Sequence, residues 1–264
     1  MTMHAKWMTA GRQLMVCSLL TWGVSAQAQM SALPETIARV KPSVVIVGSY
    51  NPTSAPRFSL RGTGFVVGAG NWVVSNAHVL QPPGSSEASG QLVVQVRTGP
   101  DSFQTRTARV LDKDLFHDLT LLQIDGPPVP ALPVGDADRV KEGQELAFMG
   151  FPIGGALGFS SVTHRAMVSS ITQARLPSAQ SGQLSERAIR GLREGNFLIF
   201  QLDATAYPGN SGGPLFDPAS GEVMGVVNMV LLKGTRESAL SQPSGISYAI
   251  PARHVRDMMA RQKE

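Results

Sequence analysis

The segment that most constrains this chain comprises residues 203–215, which read DATAYPGNSGGPL. Ser211 lies among glycines here, and glycine lets the backbone turn sharply and leaves the hydroxyl uncovered. Such a turn can also point the amides of Gly209 and Ser211 at one spot, with Asn210 shaping the turn between them, as an oxyanion hole requires. The alternative interpretation is a polar hairpin turn without a chemical role.

Two upstream segments favour the chemical interpretation. Residues 62–80 read GTGFVVGAGNWVVSNAHVL, which predicts a β-hairpin with His78 directly after its second strand. Asp118 directly precedes the apolar run LTLLQI. A nucleophilic serine needs a base, and the base needs a buried carboxylate that fixes its tautomer and stabilises the imidazolium. The order His78, Asp118, Ser211 is that of chymotrypsin, not of subtilisin or the α/β-hydrolases.

With these segments in place, the chain resembles trypsin-like serine proteases of the bacterial HtrA/Deg type. The matching pieces, in order, are GTGFVV, SNAHVL, HDLTLLQI, GNSGGPLFD, GEVMGVVN and GISYAIP, and they span residues 44–253. The resemblance implies an all-β, chymotrypsin-like fold of two six-stranded antiparallel β-barrels with short N- and C-terminal helices. It places His78 and Asp118 on the first barrel, Ser211 on the second, and the active site in the cleft between them.

The strand pattern agrees with two barrels joined by a proline-rich connector. Residues 1–28 predict a signal peptide, with Lys6 and Arg12 before an apolar run too short to span a membrane and a small-residue cleavage site at its end. An N-terminal membrane anchor is the alternative. The predicted parts of the protease domain, residues 29–264, are a first barrel over about 43–125, a linker over 126–137, a second barrel over about 138–253 and a C-terminal helix over 251–261.

Composition narrows the partners. Loss of residues 1–28 removes two positive charges and lowers the formal net charge from +4 to +2, and no basic run is interleaved with aromatics, so we expect no nucleic-acid partner. After cleavage we expect no membrane attachment. The single cysteine, Cys17, leaves with the leader, so we expect no disulfide. Extracellular trypsins place a cysteine directly after the catalytic histidine, where this chain has Val79, which favours the bacterial branch.

Other acidic and histidine residues are weighed against the triad. Asp114 is the alternative acid, but Asp118 abuts the strand, as in the family. Strand alternation would point His117 away from the triad, toward a surface or packing role. His164 and His254 lack partners at metal-ligand spacing, so we expect no metal site and no cofactor.

The resemblance also implies a specificity pocket, built from Thr205 and Ala206 before the serine and from the strand that contains Val227, Asn228 and Met229. No carboxylate stands at Thr205 or Ala206, where a trypsin would place one, so a basic side chain would meet no counter-charge. The strand carries no histidine, which argues against glutamate specificity. Small or medium aliphatic side chains fit best. The alternative is that these residues only pack the barrel.

The chain departs from the family in two places and carries one unusually long segment. HtrA proteases usually carry PDZ domains after the protease, and with 13 residues after Pro251 we expect none here. Residues 29–42 lack the aromatic residues on which HtrA trimers rely, which favours a monomer. Residues 171–196 are either a regulatory loop beside the active site or an inert insertion.

Together these observations predict a periplasmic or secreted serine endopeptidase that acts on proteins or peptides, unfolded proteins among them. The alternative from another class is a non-catalytic peptide-binding or chaperone-like module on the same fold. An esterase with the same triad is a weaker alternative, because the chain lacks a G-x-S-x-G nucleophile elbow.

Overall fold

The computed structural model describes residues 33–80, 90–100, 102–152, 159–174, 197–228 and 245–262. Runs rich in valine, leucine and isoleucine form twelve strands, as β-branched and other apolar side chains favour. The first six strands are β1 (Val44–Tyr50), β2 (Phe58–Val67), β3 (Trp72–Asn76), β4 (Gln91–Arg97), β5 (Phe103–Asp114) and β6 (Leu119–Ile124). The second six are β7 (Glu145–Gly150), β8 (Val162–Gln173), β9 (Leu198–Asp203), β10 (Pro214–Phe216), β11 (Val223–Asn228) and β12 (Ile246–Pro251).

Each set of six strands closes into an antiparallel barrel. The order around the first barrel is β1-β2-β3-β6-β5-β4, and around the second it is β10-β11-β12-β9-β8-β7. Closure leaves neither sheet with an unpaired edge, which removes a template for aggregation. The predicted fold of two six-stranded barrels is confirmed.

Apolar packing joins the two barrels. One cluster of buried side chains runs from Ile46 and Phe65 in the first barrel to Phe148 and Phe216 in the second. A second cluster around Val94 and other aliphatic residues fills the rest of the first barrel. Because buried side chains interdigitate at close-packed density, this shared core holds the barrels in register at the surface where they meet.

The proline-rich linker lies against both barrels. Its backbone amide at Leu132 donates to the carbonyl of Val66 in β2, at 2.8 Å. One residue later, the carbonyl of Pro133 accepts from the amide of Val223 in β11, also at 2.8 Å. The linker, which we call the linker strap, is therefore fixed to both barrels by backbone hydrogen bonds.

In the part of the chain that the structure describes, three α-helices flank the barrels: α1 at residues 33–40, the short α2 (Ala77–Leu80) and α3 (Arg253–Arg261). In α1, Thr36 and Arg39 donate to the carbonyl of Ala219 in the turn after β10. Arg261 of α3 donates to Asp112 of β5 at 2.8 Å, so the last helix contacts the first barrel. The predicted C-terminal helix begins two residues late, because Pro251 still belongs to β12. No helix within the described ranges is long and apolar enough to cross a bilayer.

Candidate active site

The acid, Asp118, lies in the tight turn between β5 and β6. Its φ is +55°, in the left-handed region that aspartate tolerates better than most residues. Its carbonyl accepts from the backbone amide of Ala77 at 3.1 Å and from Nδ2 of Asn76 at 3.0 Å. The junction of β3 and α2 therefore fixes the turn that presents the carboxylate, and His78 lies at that same junction.

The carboxylate of Asp118 binds His78 at two points. Oδ1 accepts from the backbone amide of His78 at 2.9 Å, and Oδ2 lies 2.6 Å from the ring nitrogen Nδ1. Because the carboxylate accepts the proton of Nδ1, the ring is oriented and Nε2 remains as the proton acceptor. Asp118 is 3% exposed, whereas the side chain of His78 is 17% exposed. The acid is thus shielded from water while the imidazole stays accessible.

A third hydrogen bond reaches Asp118 from the second barrel. Asn228, at the end of β11, is fully buried and donates from Nδ2 to Oδ2 of Asp118 at 2.7 Å. The acid is therefore held from both barrels. This role of Asn228 was missed from the sequence, where the residue was predicted to bind substrate. The sequence signal for this role is that Asn228 is the one polar side chain in the apolar strand VMGVVN. A buried polar group needs a hydrogen-bond partner.

The segment that carries Ser211 forms a defined turn. Pro208 is followed by Gly209 at φ +103°, and the amide of Asn210 donates to the carbonyl of Tyr207 at 2.9 Å. Proline at the second position and a positive φ at the third define a type II β-turn, which requires glycine or asparagine at that third position. Gly209 is therefore needed for the local backbone, as the sequence predicted from the turn it must make.

Ser211 lies where the two barrels meet. Its carbonyl accepts from the backbone amide of Thr63 in β2 at 2.9 Å. A Cβ placed on Gly62 would lie 2.7 Å from the side chain of Val79 and 3.0 Å from the carbonyl oxygen of Ser211. Val79 is the residue after His78. The segments that carry His78 and Ser211 therefore approach each other at Gly62. The structure therefore brings His78, Asp118 and Ser211 to the same interface.

The predicted pocket residues that the structure describes are uncharged and partly or fully buried. Ala206 is buried and Thr205 is partly buried, just before the nucleophile turn. Val227 is fully buried, and its backbone exchanges two 2.9 Å hydrogen bonds with Gly212 and Gly213. Val227 therefore supports the turn through its backbone, whatever its side chain contributes to specificity. Met229 lies outside the described residues.

The competing acid, Asp114, is bound elsewhere. It accepts from the backbone amide of His117 at 3.0 Å and lies 2.6 Å from Nδ1 of the same ring. Burial opposes its ionisation, but the hydrogen bonds and charge of His117 outweigh burial and lower the pKa of Asp114 to about 2. His117 in turn stacks on His254 of α3, with ring centroids 3.7 Å apart. Asp114 therefore binds His117 in a packing cluster, whereas Asp118 binds His78.

Burial affects the other two histidines as well. It lowers the pKa of His254 to about 3, helped by the charges of His117 and Arg253 and opposed by Asp114. His164 stacks on Phe148 at 4.7 Å, and burial lowers its pKa too. Among the described residues, no group of three or more His, Cys, Asp or Glu is placed to hold a metal ion. The predicted signal peptide and most of the predicted loop, from residue 175 to 196, lie outside the described residues.

Comparison with known proteins places this geometry in a family. The chain matches the family described as Trypsin-like peptidase domain over residues 62–226. It is 31% identical to a probable periplasmic serine endoprotease DegP-like of Marinomonas sp. (strain MWYL1), over 78% of this chain and 36% of that protein. It is also 31% identical to the mitochondrial serine protease HTRA2 of Bos taurus, over 90% of this chain and 44% of that protein. The chain thus spans less than half the length of both relatives.

The solved structures agree on the fold. The HtrA-type protease AlgW with tripeptide superposes with a TM-score of 0.61, at 24% identity, over 86% of this chain and 62% of that chain. The family match contains His78, Asp118 and Ser211, and the two barrels meet where those residues lie. The chain belongs to the trypsin-like peptidase domain family, with relatives of the HtrA and DegP type.

Proposed function

We propose that the chain is a serine endopeptidase that hydrolyses peptide bonds with His78, Asp118 and Ser211. The observation that carries this proposal is the placement of the Asp118–His78 pair, because the hydrogen bond from Asn228 joins it to the barrel that carries Ser211. Asp114 and His117 form a pair of the same geometry, but that pair packs against His254 and Phe197. The arrangement of Asp118 and His78 matches what a general base requires: a fixed tautomer and a stabilised imidazolium.

The proposed reaction has two halves. Ser211 Oγ attacks the carbonyl carbon of the substrate while Nε2 of His78 takes the hydroxyl proton. The amides of Gly209 and Ser211 stabilise the negative oxygen of the tetrahedral intermediate. His78 then gives the proton to the leaving amine, and the C–N bond breaks to leave an ester on Ser211.

In the second half, water attacks that ester by the same proton route. His78 accepts a proton from water and returns it to Ser211 Oγ as the ester bond breaks. The products are the carboxylic acid and the free serine. Asp118 stays ionised throughout, because its role is to orient and stabilise the imidazolium.

We further propose cleavage after small or medium aliphatic residues, in protein or peptide substrates. The uncharged, partly or fully buried side chains of Thr205, Ala206 and Val227 support this preference. A periplasmic location is supported by the predicted signal peptide and by the name of the Marinomonas relative.

Digestion of a peptide library tests activity and specificity together, with Ser211→Ala as the inactive control. We expect the wild-type protein to cleave after Val, Ala, Ile or Leu, and the variant to leave the library intact. A profile dominated by Arg or Lys would refute the pocket assignment alone. Equal cleavage by both proteins, or none by a folded wild type, would refute the proposed activity.

A further inference from the structure

Thr63 connects the first barrel to the turn that carries the nucleophile. It lies in β2 and is fully buried. Its hydroxyl donates to the carbonyl of Gly209 at 2.6 Å and accepts from the backbone amide of Phe151 at 3.0 Å. Its own backbone amide donates to the carbonyl of Ser211 at 2.9 Å. One residue therefore contacts both ends of the Gly209–Ser211 segment and the end of β7.

The peptide between Gly209 and Asn210 is consequently held on both sides. Its carbonyl accepts a hydrogen bond from the hydroxyl of Thr63, and its amide donates to the carbonyl of Tyr207 at 2.9 Å. Fixing this peptide limits the orientations open to the amides on either side of it. Those amides, at Gly209 and Ser211, are the proposed oxyanion donors.

The side chain of Asn210 does not supply this restraint. Both polar atoms of its amide are buried, and neither has a hydrogen-bond partner among the described residues. The sequence predicted that Asn210 shapes the turn, and it does so through its backbone, because its carbonyl also accepts from the amide of Gly213 at 2.9 Å. The side-chain tie to the turn comes instead from Thr63, across the interface.

We infer that Thr63 is a positioning residue whose hydroxyl sets the oxyanion turn in its working orientation. This inference rests on the proposed function. Removal of the hydroxyl leaves the carbonyl of Gly209 and the amide of Phe151 unpaired in a buried site, which is unfavourable for both groups. The cheapest relief is rotation of the Gly209–Asn210 peptide, because glycine restricts its backbone little. That rotation moves the oxyanion donors away from the reacting carbonyl.

Three variants separate positioning from simple packing. Thr63→Val keeps the shape and removes the hydroxyl, whereas Thr63→Ser keeps the hydroxyl and removes a methyl group. Ser75→Ala is the matched control, because Ser75 is also fully buried and its hydroxyl donates to the backbone carbonyl of Thr63 at 2.7 Å. This variant removes the hydrogen bond to the Thr63 carbonyl and keeps both hydrogen bonds of the Thr63 hydroxyl. Thermal unfolding of all three establishes that they are folded.

The catalytic measurement is kcat and KM on the best library peptide, with affinity for a matching peptide boronate, whose tetrahedral adduct with Ser211 occupies the oxyanion site. Loss of one oxyanion donor lowers kcat by roughly 10²- to 10³-fold in a related chemistry. For Thr63→Val we expect a smaller loss, about 10- to 100-fold in kcat, with little change in KM and a parallel loss of boronate affinity. The kcat of Thr63→Ser and of Ser75→Ala should stay within about 3-fold of the wild-type value.

Hydrogen exchange gives a readout that does not need activity. In Thr63→Val, the amides of residues 209–211 should exchange faster relative to core strands, and in the two other variants they should not. Normal kcat with normal exchange in a folded Thr63→Val protein would overturn the inference. If the wild type is inactive, the proposed function fails, and the exchange comparison alone decides whether Thr63 holds the turn.

Discussion

Asp118 is buried, and hydrogen bonds from both barrels reach its carboxyl group. The amide of His78 and Nδ2 of Asn228 both donate to its oxygens, and Nδ1 of His78 completes the set. Hydrogen bonds to an ionised acceptor are shorter and stronger than neutral ones, which offsets the cost of taking the charge out of water. The same bonds hold His78 in a single orientation.

Substitution of the acid gives a test at the residue scale. Asp118→Asn should lower kcat by roughly 10⁴-fold, the loss known for this change in a Ser-His-Asp protease, because the amide stabilises the wrong imidazole tautomer. The measurement is turnover of a single peptide substrate at saturating concentration.

Asp114→Asn is the matched control, since Asp114 grips His117 with the same two-point geometry. We expect it to reduce stability while leaving kcat within an order of magnitude of wild type. A larger loss of kcat in Asp114→Asn than in Asp118→Asn would reverse the assignment of the acid.

At the scale of elements, the turn between β5 and β6 connects Asp118 to the last helix. Asp114 and His117 in this turn bind each other, and His117 stacks on His254 of α3. Phe116 and Phe197 pack edge-on against the ring of His117, and Phe197 also packs edge-on against that of His254. The cluster therefore anchors α3 beside the loop that presents Asp118.

This cluster predicts a pH dependence of stability. The pKa of His254 is lowered from 6.5 to about 3 by burial and by neighbouring positive charge. A lowered pKa means that the unfolded chain binds a proton more readily than the folded one does. The contribution of His254 to stability is therefore complete above about pH 6.5 and is lost as the pH falls toward about 3.

The variant His254→Phe keeps a ring for stacking and cannot take up a proton. We expect its melting temperature to fall less than that of the wild type between pH 7.5 and pH 4.5, measured by thermal unfolding at matched ionic strength. Titrating groups that do not interact with His254 are common to both proteins and cancel in the difference. Equal acid sensitivity of the two proteins would show that His254 takes up its proton equally well in the folded state.

The elements, and the segments that carry His78, Asp118 and Ser211, could be predicted because their signals are local. Apolar runs, turns and the segments SNAHVL, HDLTLLQI and GNSGGPL each lie within a short stretch of chain. The contacts of Asn228 and Thr63 could not be predicted in this way. They join residues 110 and 146 positions apart, and they exist only because one barrel packs against the other. The identity of Asn228 was visible, but not the direction of its side chain.

At the scale of the whole molecule, the site depends on the interface between the two barrels. The shared core, the linker strap and the contacts of Thr63 with the nucleophile turn all cross that interface. His78 and Asp118 lie with the first six strands, and Ser211 lies just before β10 of the second six. We therefore propose that two packed barrels assemble one reactive serine.

Covalent labelling tests that claim most directly. A fluorophosphonate reacts with a serine only when a base and an oxyanion site activate it, and Ser211 Oγ forms the P–O bond as fluoride leaves. We predict stoichiometric labelling of the folded wild-type protein, with the adduct mapped by mass spectrometry to the peptide that contains Ser211, and no labelling of Ser211→Ala. A folded wild-type protein that stays unlabelled, or a Ser211→Ala variant labelled as fast as the wild type, would contradict the account.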